Sequence, residues 1–416
     1  MSWKDLDLWQ WLKADADEDL RDLTRKCLVL ASKQADDTKL DDFTLHDSGH
    51  AARVAARMWD LMGPEARNGL YPEERALLLL SAYLHDIGMS PNHGVVRDLH
   101  KHLLEGGHPP EGEAAPLRAW LDTQGEPVVP LPERDGASRF DRAALLVTHY
   151  CRSRHTAWSS DWITANIPDD ETRPGFRAAL IDLCLSHHWG WDRVMELKPC
   201  PLSGGRVANL RYLAVLLRVA DVLEISPERV PPVIRDHRAI SAGSRTYWAK
   251  DLVSAVSCAD GEIRLTATPD SARLHHAIMQ TIEQIDLELR QAHHHADMKH
   301  LVTDIRAGAE RYAWPWPPKV IEDIHPRGDY VYINGSFRPD VPKMLSILAG
   351  TALYGDPFAA IRELLQNAFD AVRWRIAEIV CDRLAEGTGQ TVATLRADQA
   401  RAHHVTLTVK AEGDRL

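Results

Sequence analysis

Ser81-Ala82-Tyr83-Leu84-His85-Asp86-Ile87-Gly88-Met89 ends an apolar helical run with two adjacent ionisable residues. Gly88 follows them where a helix commonly stops. Burying a histidine and an aspartate at the end of such a run costs free energy unless something compensates them. A divalent cation would do so, because imidazole and carboxylate are both common metal ligands. The alternative is a His-Asp pair that only caps the helix.

Two other segments favour the metal. His46 and His50 have the i, i+4 spacing that places two side chains on one face of a helix, here predicted over 46–58. Asp221 lies within the largely apolar helical pattern Leu217-Arg218-Val219-Ala220-Asp221-Val222-Leu223. A carboxylate in such a place needs a cation or strong hydrogen-bond donors. The candidate metal site therefore draws on three separate parts of the chain.

Composition limits the classes of protein to consider. The chain has 416 residues, 44% hydrophobic and 26% charged, which predicts two or three domains with cores of their own. A net charge of -11 argues against a broad nucleic-acid-binding surface. Six cysteines without a CxxC pair indicate free thiols in a reducing compartment. With no signal peptide and no bilayer-spanning apolar run, we expect a cytoplasmic chain without a membrane partner; its oligomeric state is open.

Helical patterns dominate up to about residue 225, and mixed patterns follow. We predict helices at 46–58, 73–84, 141–158, 175–189 and 206–223, and a Pro- and Gly-rich insertion at 100–133. Later, strands are predicted at 245–257 and 262–268 around the turn Ala259-Asp260-Gly261, with a helix at 271–306 whose His293-His294-His295 faces solvent.

Five regions result from these patterns. They are N-terminal helices packing on the bundle at 1–40, a metal-binding domain at 41–230, an α+β accessory region at 231–312, a stiff Trp-Pro linker at 313–320, and a third region at 321–416.

The ordered set His50, His85-Asp86 and Asp221 resembles the H…HD…D pattern of the HD superfamily of metal-dependent phosphohydrolases, over roughly residues 40 to 230. The resemblance implies a helical bundle in which these four residues bind a first divalent metal: Mn, Mg, Fe or Zn. It also implies that histidines between the dipeptide and the last aspartate bind a second metal or the phosphate. The candidates are His155, His187 and His188, with His149 structural; one or two metals remain open.

The resemblance further implies the chemistry. A divalent metal makes a bound water nucleophilic near neutral pH and neutralises phosphate oxygens, and Asp86 joins the catalytic set. His46 resembles the acidic histidine of the HxxxH element in cyclic-nucleotide phosphodiesterases and would protonate the leaving group; alternatively it orients His50. The substrate would be a nucleotide or another phosphate ester. Basic residues near these segments could hold it: Arg53, Arg97, Lys101, Arg152 and Arg154.

The third region carries a different pattern. Glu363, Asn367 and Asp370 share one face of a predicted helix that is otherwise almost wholly apolar. The stretch around them resembles the N box of the GHKL ATPases, closest to the branch of the ninety-kilodalton heat-shock chaperones. That resemblance implies Glu363 as general base, Asn367 as a ligand of the magnesium in Mg-ATP, and Asp370 beside the nucleotide. The family's Asp-x-Gly-x-Gly loop is absent after the strand predicted at Val405–Val409, so we expect a fragment that is not a competent ATPase.

Together these patterns predict a mainly α protein: an HD-type helical bundle, a small α+β appendage and the start of an α/β-sandwich GHKL ATP-binding domain. The leading function is a phosphohydrolase coupled to an ATP-binding module. A second hypothesis is an ATP-dependent, chaperone-like or switch protein whose HD domain senses a nucleotide. A third is an HD-type single-strand nuclease, which the acidic balance disfavours.

Overall fold

The computed structural model describes residues 2–37, 40, 44–133, 138–169, 173–202, 205–231, 240, 244–297, 301, 312–333, 359–385, 389–403 and 405. The chain forms two compact units, Met1–Ile333 and Asn334–Leu416. Both are mainly helical in their described parts, which was predicted for the first unit, whereas the start of an α/β sandwich was predicted after residue 321. No helix among the described residues has the length and apolar character that a membrane crossing requires.

The first unit is built around one central helix. Its helices are α1 Asp7–Asp15, α2 Glu18–Ala35, α3 Ser48–Leu61, α4 Pro64–Gly69, α5 Pro72–Leu84, α6 His93–Glu105, α7 Ala114–Thr123, α8 Arg139–Asn166, α9 Phe176–Ser186, α10 Trp191–Met195, α11 Leu210–Val222, α12 Arg245–Val253 and α13 Ala272–Asp297. In α5 every residue after Pro72 is buried. It packs against α1, α2, α3, α9 and α11, because from Ala76 onward it is almost wholly apolar on all sides and must be covered on all of them.

The insertion forms a second, smaller core. Leucines of α6 and α7 pack on α8 through a cluster that includes Tyr150. Glu113, at the start of α7, accepts hydrogen bonds from the Tyr150 hydroxyl, from Arg154 Nε (2.9 Å) and Nη2 (3.1 Å), and from Trp158 Nε1 (2.9 Å). These bonds hold the insertion on α8, the helix that carries His155.

Two predicted elements differ in the structure. The helix expected to begin at His46 begins at Ser48, because the Asp47 side chain accepts from the His50 N–H (2.9 Å) and caps it. The strand expected at 245–257 is α12 followed by β3 Ser254–Ala259. Helical geometry lets Trp248 and Asp251 be buried together on one face of α12.

A short sheet accompanies α12 and α13. Besides the two-residue pair of β1 Cys200–Pro201 and β2 Val207–Ala208, strand β3 pairs antiparallel with β4 Glu262–Ala267, as predicted. The turn between β3 and β4 has positive φ at Asp260 (54°) and Gly261 (75°), which a type I′ turn requires. Strand β5 Ile321–Ile324 adds to β4 in parallel.

The Trp-Pro segment is packed within the first unit. Trp314 and Trp316 are buried, and Trp316 Nε1 donates to Leu61 O (2.8 Å). Strand β5 then continues the sheet. The segment predicted as a stiff linker at 313–320 is packed on the bundle, because its tryptophans bury apolar surface there, and the compact unit extends to Ile333.

In the second unit, α14 Ala359–Ala385 packs against α15 Val392–Ala402. The predicted N-box helix thus forms as part of α14, whereas α15 was not predicted. The strand predicted at Val405–Val409 lies, apart from Val405, outside the described residues.

Candidate metal centre

Three helices bring the first four predicted ligands together. His50 lies in the first turn of α3, His85 and Asp86 follow the end of α5, and Asp221 lies near the end of α11. Asp86 Oδ2 is 3.4 Å from His85 Nε2 and 4.0 Å from His50 Nε2. Asp221 Oδ1 is 3.6 Å and 3.7 Å from the same two nitrogens. We call these four side chains the first cluster.

The second cluster, His155, His187 and His188, lies on the other side of Asp86. Asp86 Oδ1 is 3.3 Å from His155 Nε2 and 3.5 Å from His187 Nε2, and His155 Nε2 is 3.1 Å from His188 Nε2. The two oxygens of Asp86 therefore face the two clusters. This is the position of a carboxylate that could contact two ions at once.

The imidazoles are oriented as metal ligands are. The Nδ1 atom of His85 faces Ala82 O (3.1 Å), that of His155 faces Arg152 O (2.5 Å), and that of His187 faces Cys184 O. A carbonyl can only accept, so each of these Nδ1 atoms carries a proton, which leaves Nε2 as the atom that would bind a metal. The Nε2 atoms of His50, His85 and His187 are buried without a hydrogen-bond partner among the described residues. Such orphaned acceptors at one point fit a bound cation.

The carboxylates are held in their ionised, ligand-ready form. Burial alone would raise the pKa of Asp86, but the imidazoles of His85, His155 and His187 hold that pKa well below its usual range. Burial would likewise raise the pKa of Asp221, but the hydrogen bond and charge of His85 outweigh burial and the net shift of the pKa is downward. Burial and the neighbouring imidazoles lower the pKa of His188 to about 4, so this ring is neutral and able to bind metal.

His46 reaches the site from the loop before α3. Its Nδ1 donates to Thr44 O (2.7 Å), while its Nε2 lies 3.7 Å from Asp86 Oδ2 and 3.4 Å from Arg229 Nη2. Burial lowers the pKa of His46 to about 3, although the Asp86 carboxylate acts in the opposite sense. The resting ring is therefore neutral, with Nε2 as an acceptor beside Arg229.

Glu224 was missed by sequence reasoning. It accepts from His50 Nδ1 (2.8 Å) and Arg53 Nε (2.5 Å), lies 3.3 Å from Arg229 Nε, and has a side chain only 3% exposed. Burial raises the pKa of Glu224, but the hydrogen bond from His50 outweighs it and the net shift is downward. A signal existed in Val222-Leu223-Glu224-Ile225, one helical turn past Asp221: an acidic residue among apolar ones.

Replacing Glu224 with glutamine is expected to weaken metal binding by about 10- to 100-fold, since an acceptor that orients a ligating histidine has effects of this size. Glutamine keeps the volume but loses the charge that holds His50 and two arginines. The measurement is a metal titration of metal-stripped protein followed by calorimetry. Glu228→Gln, at an exposed site four residues on, is the control. Equal affinity in both variants would show that Glu224 does not orient His50.

Gly88 lets α8 approach the HD turn. A Cβ at Gly88 would lie 2.0 Å from His155 O. Ser159 Oγ accepts from Gly88 N (3.1 Å) and donates to His85 O (3.0 Å), so it joins α8 to the turn that carries both HD residues. The sequence predicts Gly88 only as a helix stop; the structure adds this close backbone contact.

Arg218 holds the turn that carries His187 and His188. Its Nη1 donates to Ser186 O (2.5 Å) and Trp189 O (2.7 Å), on either side of the two histidines. Its Nε and Nη2 bind both carboxylate oxygens of Glu288 on α13, at 3.0 Å and 2.8 Å. This buried cation thus links the second cluster to the accessory region, a role for which its sequence position offers no signal.

A cavity of about 290 Å³ opens beside both clusters. Of the five basic residues predicted to hold substrate, Arg152 lines it. The prediction does not hold for Arg53 and Arg154, because their guanidinium groups are bound to Glu224 and Glu113. Arg97 is exposed beside Asp98. Lys101 is also exposed, and neither residue is among those that line the cavity. Two basic residues that were not predicted, Arg229 and Lys250, line the cavity instead.

The remaining predicted residues lie elsewhere. Glu363, Asn367 and Asp370 are exposed on α14, where Asp370 pairs with Arg373 (3.1 Å). His149 is exposed on α8 and belongs to neither cluster. His293 pairs with Asp297 (3.3 Å) and His295 stacks on Trp191, so the triple-histidine stretch is not wholly a solvated face. The described cysteines are all free, four of them buried.

A helical bundle with His and Asp groups that could hold a divalent metal defines an HD-type domain. Comparison with protein families agrees: the HD-CE family matches residues 40–291, well over half of the chain. The chain belongs to the HD-CE family. The match extends beyond the predicted boundary at 230 and includes α12 and most of α13. Comparisons with curated proteins and with solved structures gave no match.

Proposed function

We propose that this protein is a metal-dependent phosphohydrolase acting on a nucleotide or related phosphate ester. The observation that carries the proposal is the position of Asp86, whose two oxygens face separate histidine clusters within 3.3 to 4.0 Å. Divalent ions held there would supply a water nucleophile at neutral pH and neutralise charge on the phosphate. The cavity beside them is lined by cationic side chains, as an anionic substrate requires.

Each residue of the site has a separate role in this proposal. His50, His85, Asp86 and Asp221 would hold the first ion, and His155, His187 and His188 a second, with Asp86 between them. Glu224 orients His50. Arg229 and Arg152 neutralise the bound anion. His46 touches Arg229 and Asp86 at the edge of the cavity, so it would gain a proton only once a phosphate lies beside it, and it could then pass that proton to the leaving group.

A substrate panel tests the proposal. Metal-stripped protein, reloaded separately with manganese, magnesium, iron or zinc, is offered nucleoside mono-, di- and triphosphates, cyclic nucleotides and single-stranded DNA. We expect metal-dependent release of phosphate or nucleotide from at least one ester. Binding of a nucleotide without turnover under every metal would favour a sensor in place of an enzyme. Cleavage of DNA alone would favour a nuclease.

The proposal includes coupling to an ATP-binding module in the third region. It is supported by α14, on which Glu363, Asn367 and Asp370 are exposed and so accessible to Mg-ATP. In a chain that also contains an Asp-x-Gly-x-Gly element, Asn367→Ala is expected to abolish Mg-ATP binding measured by calorimetry. If such a chain does not bind Mg-ATP before mutation, the GHKL assignment is wrong.

A further inference from the structure

The accessory region contributes to the wall of the metal cavity. Lys250 on α12 and Gln284 on α13 line the same cavity as Asp86, Asp221 and the second cluster. Lys250 is only 12% exposed, an uncommon degree of burial for a lysine. The ammonium has three donors, and the described partner is Asp251 Oδ1 at 3.0 Å.

Asp251 places two cations next to each other. Its side chain, 3% exposed, binds Lys250 and lies 3.9 Å from Arg229 Nε. Arg229 in turn lies 3.4 Å from His46 Nε2, whose ring touches Asp86. A path of contacts therefore leads from the metal ligands through His46 and Arg229 to Lys250, and the cations are adjacent to the metal clusters without being part of them.

The charges along this path do not cancel. Three cationic side chains lie along it: Arg53, Arg229 and Lys250. Two carboxylates bind them, those of Glu224 and Asp251. Asp86 and Asp221 belong to the metal clusters, whose ions would neutralise them. The excess positive charge therefore lies beside the metal clusters, and it adds to the positive charge that bound metal ions would bring. Arg229 and Lys250 are only 13% and 12% exposed, and uncompensated charge in such a position is costly unless an anion binds there.

We propose that Arg229 and Lys250 form a subsite for a second phosphate, adjacent to the one that the metal clusters would engage. The substrate is then a di- or triphosphate, and esters with a single phosphate leave the subsite empty. This inference rests on the proposed function for the identity of the site, but it concerns residues that the HD pattern does not include. It also assigns a task to the accessory region, which supplies Lys250.

Binding of inorganic phosphates tests the subsite without catalysis. We expect Lys250→Met to weaken tripolyphosphate binding to metal-loaded protein by about tenfold, since a buried charge-assisted contact is lost, whereas a single phosphate would bind at the metal clusters. Orthophosphate binding should change less than twofold, and Lys250→Arg should restore tripolyphosphate binding. Lys198→Met, at an exposed lysine outside the cavity, is the matched control. A thermal melt of each variant checks that it folds.

Turnover provides a second, separate readout. In metal-loaded protein, Lys250→Met should raise KM for a nucleoside triphosphate about tenfold and leave KM for a monophosphate ester unchanged. Equal effects on tripolyphosphate and orthophosphate, or none on either, would overturn the subsite. If no ester is hydrolysed while tripolyphosphate binding still depends on Lys250, the proposed function fails and the subsite stands. If esters are hydrolysed but KM for a nucleoside triphosphate is the same in the Lys250→Met protein, only the subsite proposal fails.

Discussion

Asp86→Asn is expected to remove metal from both histidine clusters and to lower phosphohydrolysis by about 1000-fold, the scale on which loss of a metal's charge affects a phosphoryl centre. Asparagine has nearly the shape of aspartate but carries no charge and only one ligating oxygen. Asp86 lies within 4.0 Å of nitrogens from both clusters, so this change reaches the whole centre.

Metal content per chain, measured by mass spectrometry after dialysis, is the direct readout, with hydrolysis of the best panel substrate as the second. His85→Ala should remove the first ion and abolish activity as well. Asp98→Asn, at an exposed carboxylate paired with Arg97, is the control and should retain both metal and activity. Full activity in the Asp86→Asn or His85→Ala protein would mean that hydrolysis arises outside this centre.

Gly88→Ala is expected to destabilise the first unit by roughly 3 kcal/mol or more, at the upper end of the cost of overpacking. The added Cβ would meet three backbone atoms of His155, at 2.0, 2.8 and 2.9 Å. A backbone cannot rotate away as a flexible side chain can. Either α8 moves or the turn after His85 does, and both changes separate His155 from Asp86.

Urea unfolding followed by circular dichroism measures the loss in the free energy of unfolding. Gly107→Ala is the matched control, because a Cβ there would contact only the flexible Lys101 side chain, at 3.5 Å or more. Metal content should also fall in Gly88→Ala, through displacement of the second cluster. A Gly88→Ala protein as stable as the Gly107→Ala protein would show that α8 can retreat without cost.

Local sequence patterns were sufficient to select candidate site residues where an ionisable residue lies inside or at the end of an apolar run. His85 and Asp86 follow the end of an apolar helix and Asp221 lies inside another, and the free energy of burying them makes a partner necessary wherever the chain folds. Local capping was underestimated: the Asp47 cap makes the helix begin at Ser48, two residues after its predicted start, yet His46 still lies near Asp86 from the preceding loop. Propensity misassigned 245–253, where burial of Trp248 and Asp251 favours a helix over a strand.

The residues alone predict the helical class, the HD pattern and the candidate metal ligands, since these depend on spacing along a helix and on the chemistry of the side chains. Only the folded chain shows that Glu224 orients His50, that Arg218 holds the second cluster, and that Arg229 and Lys250 line the cavity. Glu224 and Arg218 act through partners on other elements, as when Glu224 accepts a hydrogen bond from His50 across 174 positions of sequence. Contacts of that range depend on how the helices pack, and no periodicity within one segment encodes them.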